Sequence, residues 1–322
     1  MPTKMNDIVQ SIIQSSSIAL ITHINPDGDA IGSTIALMHA LDKMEKLVDV
    51  YCQDMVPSMF DFLDGINRVT KPDQSTKSYD LVISLDCSDP ERMGTCAPIM
   101  DKAIRSANID HHVSNTLFAN INVVDEEASA TGEIIYKLIT LLDIEPNKSI
   151  AEALYTAIVS DTGRFSFSNT TPTTHRIVAN LIEWGADVVQ LSNLLFNNHA
   201  LEWVRLLGQA INSLEIYHDG KVAIMHITQE MMDKTGAIEE HSSGIIQYAK
   251  DITGVELAAL LREVDDSTIK VSLRSQSIVD VSLLAQEFGG GGHKRAAGCT
   301  INLPLIQAQE ELMKVIDSYF KE

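Results

Sequence analysis

Six side chains of the kind that bind metal ions recur in four short clusters of this chain, and each cluster falls where a predicted strand or helix ends. The six are His23, Asp27, Asp29, Asp86, His111 and Asp161. Carboxylates and imidazoles are ligands for Mn²⁺, Mg²⁺ and Zn²⁺. Six of them, with one aspartate able to bridge, are enough for two ions, and a pair of divalent ions about 3.5–4 Å apart is a common device for displacement at phosphorus. The pattern therefore predicts a phosphoester hydrolase.

Alternating strands and helices predict an α/β fold for the first part of the chain. The predicted strands cover residues 17–22, 47–52, 79–85 and 104–109, and the predicted helices cover 31–46, 128–142, 149–160 and 173–184. Strands that alternate with helices imply parallel βαβ units. Sites in open parallel sheets lie beyond the carboxyl ends of the strands. Three of the four clusters follow a predicted strand, so we expect them to converge on one edge of a mostly parallel sheet.

The pattern changes after about residue 190. Residues 191–213 read as a helical connector, and residues 214–227 read as a hairpin with Asp219-Gly220 at its turn. Further strands are predicted at 255–264 and 268–273, and a helix at 281–288. We therefore expect a catalytic domain over 1–190, the connector over 191–213 and a smaller α/β domain over 214–322.

Charge and cysteine usage limit the possible functions. The net charge is −20, from 44 acidic and 24 basic residues. Binding of long nucleic acid depends on a basic surface, so a nuclease for long polymers is disfavoured. The four cysteines are scattered and form no CxxC pair, which favours a reducing cytoplasm. No signal peptide or membrane span is expected.

Each cluster also has a simpler interpretation. His23, Asp27 and Asp29 fit a tight turn that caps a helix, and Asp86 alone fits a capping aspartate. Asp161 fits an ordinary turn at the end of a helix, and the adjacent histidines His111 and His112 fit a structural pair. The run Asp110-His111-His112 is more specific, because consecutive imidazoles point in different directions. One of them is then able to bind metal while the other contacts substrate. Asp110 is suited to orient a histidine by accepting a hydrogen bond from its other ring nitrogen.

Four consecutive glycines, Gly289–Gly292, form the second chemical feature. A run without side chains lets a phosphate approach the backbone, where exposed N–H groups form an anion nest. His293 and Arg274 would add charge. A flexible loop is the alternative interpretation.

The four clusters, in this order and spacing, resemble the DHH phosphoesterase superfamily, which is named for the motif seen here as Asp110-His111-His112. The segment Gly289-Gly290-Gly291-Gly292-His293, followed by Lys294 to Gly298, looks like the associated DHHA1 domain. The resemblance spans roughly residues 15–315. Within the superfamily, the compact pairing is most similar to the bifunctional oligoribonucleases and PAP phosphatases.

The resemblance implies roles that spacing alone leaves open. One metal would take His23, Asp27 and Asp86, and the other would take Asp29, Asp86, His111 and Asp161, with Asp86 bridging. His112 would contact the scissile phosphate. The active site would lie in the cleft between the two domains, and substrate would be held by Arg274, Gly290, Gly291, Gly292 and His293.

Further expectations follow from the same resemblance. Two Mn²⁺ ions are expected, although the ligands also suit Mg²⁺ and Co²⁺. The expected substrates are RNA of about two to five nucleotides and 3′-phosphoadenosine 5′-phosphate (PAP), and a homodimer is plausible from the resemblance alone. Arg164 and Arg295 receive no role.

Other functions remain open at this point. A phosphodiesterase for linear or cyclic dinucleotides and a manganese inorganic pyrophosphatase share the metal clusters. The glycine-rich second domain argues against the pyrophosphatase. A non-catalytic nucleotide-binding module and a single-strand exonuclease are the remaining alternatives, and the acidic chain argues against the latter.

Replacing Arg274 by alanine tests the division of roles between the two domains. We expect a higher KM for dinucleotides and little change for bis-p-nitrophenyl phosphate, because Arg274 is expected to hold the part of the substrate that is not cleaved. Steady-state kinetics on both substrates provide the measurement. An equal loss on both would contradict this division.

Overall fold

The structure, a computed structural model, describes residues 2–72 and 77–320, without the side chains of Pro2, Thr3 and His293. It divides into two compact units, residues 1–198 and 199–322. Among the described residues, none of the helices has the length and apolar character needed to cross a membrane.

In the described part of the first unit, six strands form one parallel sheet. They are β1 (Ser17–Ile21), β2 (Leu47–Tyr51), β3 (Val69–Thr70), β4 (Tyr79–Leu85), β5 (Ala103–Asp110) and β6 (Ile121–Val124). Their order is β3-β2-β1-β4-β5-β6. The order reverses between β1 and β4, and a crevice at such a reversal is the usual ligand site of an open parallel sheet.

Helices accompany this sheet. They are α1 (Pro2–Gln14), α2 (Gly28–Lys43), α3 (Thr131–Leu141), α4 (Lys148–Asp161), α5 (Pro172–Glu183) and α6 (Val188–Ser192). Side chains of β1 alternate between two apolar clusters: Ile18 and Leu20 belong to the cluster that contains the helices, whereas Ala19 and Ile21 lie against the 3₁₀ segment Pro90–Lys102. Both faces of β1 are therefore buried, as its continuous apolar run predicts.

The second unit is built on a mixed sheet. Its described strands are β7 (Glu215–Tyr217), β8 (Val222–Ile227), β9 (Leu257–Asp265), β10 (Thr268–Ser275), β11 (Gly291–His293) and β12 (Ala296–Ile301). Only β8 and β9 pair in parallel among these strands, which are ordered β11-β12-β10-β9-β8-β7. The helices are α7 (Leu201–Asn212), α8 (Gln229–Thr235), α9 (Ile246–Lys250), α10 (Val281–Gln286) and α11 (Leu305–Tyr319). The predicted hairpin at 214–227 is confirmed as β7 and β8.

The predicted fold class of two α/β domains, the first with a parallel sheet, is confirmed, with shifts at element ends. The helix predicted over 31–46 begins at Gly28, because Asp27 caps it: Asp27 Oδ1 accepts from the N–H groups of Asp29 and Ala30, both at 3.1 Å. The sequence prediction missed α1, β3 and β6 in the first unit, and α8, α9, β11, β12 and α11 in the second. Helix α1 carried a usable signal, since Met5, Ile8, Val9 and Ile12 have helical spacing and are buried.

Small residues allow α2 to pack very closely against α4. A Cβ on Gly32 would lie 2.4 Å from the carbonyl oxygen of Ala153, and a Cβ on Gly28 would lie 2.0 Å from Ser160 Oγ. Gly28 and Ser160 directly precede Asp29 and Asp161. The close approach therefore brings the start of α2 and the end of α4 together, and with them these two aspartates.

We expect Gly32→Ala to lower the free energy of unfolding by about 1–3 kcal/mol, because the new methyl group overlaps the backbone of α4. Gly208→Ala is the matched control: it also lies inside a helix, but its Cβ would meet open space. That change should stabilise by up to about 1 kcal/mol through helix propensity. Urea denaturation followed by circular dichroism provides the measurement. Equal shifts of the same sign would contradict the packing argument.

Candidate metal centre

The site lies at the carboxyl edge of the parallel sheet, where β1, β4 and β5 end. His23 follows β1, Asp86 follows β4 directly, and His111 follows Asp110, the last residue of β5. Asp161 reaches the same place from the last turn of α4. The structure thus brings together all four sequence clusters, as the strand pattern predicted.

The first group of donor atoms comes from His23, Asp27 and Asp86, whose ligand atoms lie within 4.8 Å of one another. His23 Nε2 is 3.8 Å from Asp27 Oδ1 and 3.5 Å from Asp86 Oδ2. The other ring nitrogen, Nδ1, is 2.8 Å from the carbonyl oxygen of Ile24. A proton on Nδ1 would bond that carbonyl and leave the Nε2 lone pair directed at the two carboxylates.

The second group comes from Asp29, His111 and Asp161, and its ligand atoms also lie within 4.8 Å of one another. His111 Nε2 is 3.8 Å from Asp29 Oδ2 and 3.4 Å from Asp161 Oδ2. Its Nδ1 is 3.2 Å from the carbonyl oxygen of Ala128. Both histidines are therefore held in the same way, with one nitrogen on a backbone carbonyl and the other in the cluster.

Asp86 connects the two groups. Its Oδ2 faces His23 at 3.5 Å, and its Oδ1 faces His111 Nε2 at 3.7 Å. The residue is 2% exposed and has a φ of 60°. A non-glycine residue in this left-handed region is uncommon, and such conformations concentrate at functional sites. The backbone turn at Asp86 thus places one carboxylate between two sets of ligands.

Comparison with known proteins places this geometry in a family. The model of the DHH family, N-terminal domain, matches residues 17–158, and that of the DHHA1 domain matches residues 219–322. The bifunctional oligoribonuclease and PAP phosphatase NrnA of Thermus thermophilus is 32% identical over 300 residues, which span 93% of this chain and 89% of that protein.

The chain belongs to the DHH family of phosphoesterases. The protein of the same name from Bacillus subtilis is 29% identical, with 92% of each chain covered. The crystal structure of an exopolyphosphatase-related protein from Bacteroides fragilis has a TM-score of 0.94 and 27% identity, and the match covers 99% of this chain and 97% of that one. The family resemblance stated from the sequence is confirmed.

Charge is unevenly distributed within this DHH site. Burial lowers the pKa of His23, but hydrogen bonds to Asp27 and Asp86 outweigh burial and raise it to about 10. Burial likewise lowers the pKa of His111, and the charges of neighbouring aspartates, Asp29 first, raise it to about 9. Both imidazoles therefore respond to an excess of nearby negative charge.

The pKa values of the aspartates reflect the same excess of negative charge. Burial, together with the charges of Asp86 and Asp161, raises the pKa of Asp29 well above its usual range. Burial raises that of Asp161 to about 7. Asp86 differs: burial raises its pKa, but the hydrogen bond to His23 and the charges of His112 and His111 outweigh burial and hold it below its ordinary value.

These donors suit divalent cations. The carboxylates are crowded around two almost fully buried members, Asp29 and Asp86, and added positive charge would offset their repulsion. Oxygen and imidazole nitrogen donors match Mn²⁺, Mg²⁺ and Co²⁺, and the cluster contains no thiolate that would select a softer ion. The donor atoms are 3.4–3.8 Å apart. Neighbouring ligands on one ion are about 3 Å apart, which is somewhat closer. Small side-chain movements would bring the donor atoms together around a cation.

Asp110 faces His112 rather than His111. Asp110 is fully buried, and its Oδ1 is 2.7 Å from His112 Nδ1. Its Oδ2 accepts a hydrogen bond from Asn115 Nδ2 at 2.6 Å, and the same amide lies 2.8 Å from Asn108 Oδ1. The sequence interpretation left open which histidine Asp110 orients. This network assigns it to His112 and adds Asn115 as its support.

Thr131, at the N-terminus of α3, is a site residue that sequence reasoning missed. The N–H groups of Thr131 and Gly132 donate to the two oxygens of Asp29, at 2.6 and 3.0 Å. Thr131 Oγ1 donates to Asp86 Oδ1 at 2.9 Å. The positive end of a helix dipole thus faces two buried carboxylates. A threonine before Gly132-Glu133 at the start of a predicted helix was the available signal.

The predicted substrate residues lie in the second unit. Arg274, on β10, is half-buried, and burial lowers its pKa. It pairs in register with Ala296 of β12, and Ala296 pairs on its other side with the backbone of His293. The side chain of His293 lies outside the described residues. Arg274 and His293 thus occupy one cross-strand row of the sheet.

Two of the amides in the glycine run, Gly289–Gly292, are already hydrogen-bonded within the protein. The N–H groups of Gly289 and Gly290 donate to carbonyls at the end of α10, at 3.0 and 2.9 Å. A Cβ on Gly290 would lie 2.2 Å from the carbonyl oxygen of Gly298, whereas a Cβ on Gly291 would meet nothing within 4 Å. Gly290 is therefore required by the close approach of backbones, and the amides of Gly289 and Gly290 are not free to bind an anion.

Arg295 has a structural environment. Its guanidinium donates to the carbonyl oxygens of Val279, at 2.8 Å, and of Ser277. From the other side, Glu256 accepts hydrogen bonds from the N–H groups of Ser277, Ile278 and Val279. The two side chains hold the loop that follows β10.

We expect Thr131→Val to weaken binding of the divalent ions roughly tenfold to a hundredfold, a typical effect of removing a hydrogen bond behind a metal ligand. The change removes the donor to Asp86 and retains the backbone N–H groups of α3. Calorimetric titration with Mn²⁺ provides the measurement. Thr140→Val is the control, because Thr140 Oγ1 donates within α3, to the carbonyl of Tyr136 at 2.9 Å. Unchanged affinity in Thr131→Val would contradict this role.

Proposed function

We propose that this chain is a two-metal phosphoesterase that hydrolyses RNA of about two to five nucleotides to mononucleotides and PAP to AMP. The single observation that carries the proposal is Asp86, whose two oxygens face two separate ligand groups. The relatives from Thermus thermophilus and Bacillus subtilis, which are named for these two activities, support the substrate class.

In this proposal each ligand group holds one ion. His23, Asp27 and Asp86 would hold the first, and Asp29, His111, Asp161 and Asp86 would hold the second. Two divalent cations would lower the pKa of a water molecule towards neutrality and offset the charge that develops on the phosphoryl oxygens. We propose Mn²⁺ as the ion, with Mg²⁺ and Co²⁺ as substitutes that the same donors accept.

The remaining side chains bind and orient the substrate. Asp110 accepts a hydrogen bond from His112 Nδ1–H. Burial lowers the pKa of His112, but this bond and the charges of the neighbouring carboxylates outweigh burial and raise it. In the imidazolium form that they favour, Nε2–H would donate to a non-bridging oxygen of the scissile phosphate. Asp110 is itself held by Asn115, so the imidazole has one preferred orientation. Arg274, Gly291, Gly292 and His293 are proposed to bind the part of the substrate that is not cleaved, with Gly290 shaping the hairpin.

Preference for short substrates is consistent with the charge of the chain. The chain has 44 acidic and 24 basic residues. The excess of acidic residues repels a long polyanion, and the few basic residues offer few phosphate contacts along its length. A short substrate needs only the metal site and a few cationic groups. The dinucleotide phosphodiesterase and pyrophosphatase alternatives are not favoured by the two named relatives.

Three predictions concern context. A cytoplasmic location is consistent with four cysteines that are all free and buried. The homodimer expected from the family resemblance is tested by light scattering on the purified protein. The domain limits of 1–190, 191–213 and 214–322 are tested by limited proteolysis.

The first experiment is hydrolysis of a 5′-labelled RNA series, from a dinucleotide to a 24-mer, with added Mn²⁺. We expect rapid loss of the species of about two to five nucleotides, slow loss of the 24-mer, and release of phosphate from PAP. Asp86→Ala should lose at least a thousandfold in rate on every substrate, because it removes a ligand from both groups.

Pyrophosphate is the control substrate. Rapid cleavage of pyrophosphate by the wild type, with no cleavage of RNA, would retain the metal site and reject the proposed substrate. Full activity of Asp86→Ala would reject the site itself. Dialysis against a chelator should abolish activity, and added Mn²⁺ should restore it.

A further inference from the structure

A left-handed turn follows Asp161. Gly163, Arg164 and Phe165 have φ values of 53°, 60° and 64°. Two of the three are not glycine, and non-glycine residues adopt this conformation rarely. Backbone hydrogen bonds hold the turn at the end of α4. They include those from the N–H of Arg164 to the carbonyl of Val159 at 2.9 Å and from the N–H of Phe167 to that of Thr162 at 3.0 Å.

The segment beyond the turn is tied back to the metal centre. Asn169 Nδ2 lies 3.0 Å from the carbonyl oxygen of Asp161 and 2.9 Å from that of Ser129. The N–H of Phe165 donates to Thr162 Oγ1 at 3.2 Å. Residues 163–169 therefore form a loop that is fixed to the backbone of a proposed metal ligand at both ends.

Phe167 lies on this loop with its ring against Gly163. A Cβ on Gly163 would fall 2.4 Å from the ring, so the contact requires glycine. All eight phenylalanines lie in the described part of the chain, and Phe167, 49% exposed, is the most exposed of them. A single exposed apolar residue has no special meaning by itself. Here the ring belongs to a constrained loop that is tied to the backbone of Asp161, which gives its exposure a meaning.

The same turn also presents a cationic group. The Arg164 guanidinium is exposed and lies over the ring of Phe196, 4.2 Å from its centroid. Among the described residues no carboxylate lies within ion-pair distance of Arg164. Stacking fixes the plane of the guanidinium and leaves its N–H edge available to an anion.

The cluster is accessible from the side of this turn. The side chains of Asp29 and Asp86 are 1% and 2% exposed, whereas those of Asp27 and Asp161 are 60% and 31% exposed. Within the first unit, a substrate that reaches the metal centre approaches past Asp27 and Asp161. The loop that follows Asp161 lies beside that approach.

We propose that Phe167 stacks on a nucleobase of the substrate and that Arg164 pairs with one of its phosphates. The inference rests on the proposed function and adds two residues that determine substrate class. Stacking on an aromatic ring is tolerant of base identity, because every base has a π-face. The ring therefore favours nucleotides over base-free phosphates without selecting a sequence.

The test compares diadenylate with its fully abasic analogue. Phe167→Ala and Phe167→Leu should raise KM for diadenylate roughly tenfold to a hundredfold, the range that loss of one stacked base implies. KM for the abasic analogue should stay within about twofold. Phe167→Trp should restore the wild-type value on diadenylate. Leucine retains apolar contact with Gly163, so it separates stacking from support of the turn.

Arg164→Gln should raise KM on both substrates by the same factor, because its partner is a phosphate. Ile104→Ala, an exposed apolar residue at the start of β5, is the control and should change neither. Two results would overturn stacking and leave the proposed function intact. In one, the Phe167 variants lose equally on both substrates; in the other, they cleave diadenylate with the wild-type KM. A wild-type protein that cleaves neither substrate would overturn both proposals.

Discussion

The mutual repulsion of four aspartates gathered at one edge of the parallel sheet is the constraint on which the rest of the site depends. Asp29 and Asp86 are almost fully buried, where an uncompensated charge is very costly. The fold offsets that cost with two imidazoles and with the N-terminus of α3, whose N–H groups meet both oxygens of Asp29. The negative charge that is left uncompensated makes the site suitable for divalent cations.

Bringing these groups together requires unusual backbone geometry. Strands β1, β4 and β5 are adjacent and parallel, so their ends arrive at the same edge. Asp161 comes from a helix, and it reaches the cluster only because glycines on α2 let α4 approach closely. Left-handed conformations at Asp86 and in the turn after Asp161 complete the arrangement. Strain of this kind persists where the surrounding structure holds it, and it concentrates at functional sites.

Much of this was predictable from local patterns. The strands before His23 and Asp86 are largely apolar, and an acidic or imidazole residue soon after such a run indicates the end of a buried parallel strand. The strand before His111 is more polar, since it also contains Arg105, Ser106 and Asn108. The alternation of strands and helices then predicts that those ends meet. Helix α1 was missed although its apolar residues have helical spacing. The short strands β3 and β6, at the two sheet edges, carry too few residues for a period to be recognised.

By itself, the sequence determined which chemical groups are present, the order of the elements that carry them and hence the sheet edge at which they meet. Only the tertiary structure decided which atom faces which. It assigned Asp110 to His112, directed the two oxygens of Asp86 to different histidines, and placed Thr131 behind two carboxylates. It also showed that Gly290 serves the approach of two backbones. The physical reason is range: strand and helix periodicity is local, whereas a hydrogen bond between Thr131 and Asp29 joins residues that are 102 positions apart and depends on the packing of whole elements.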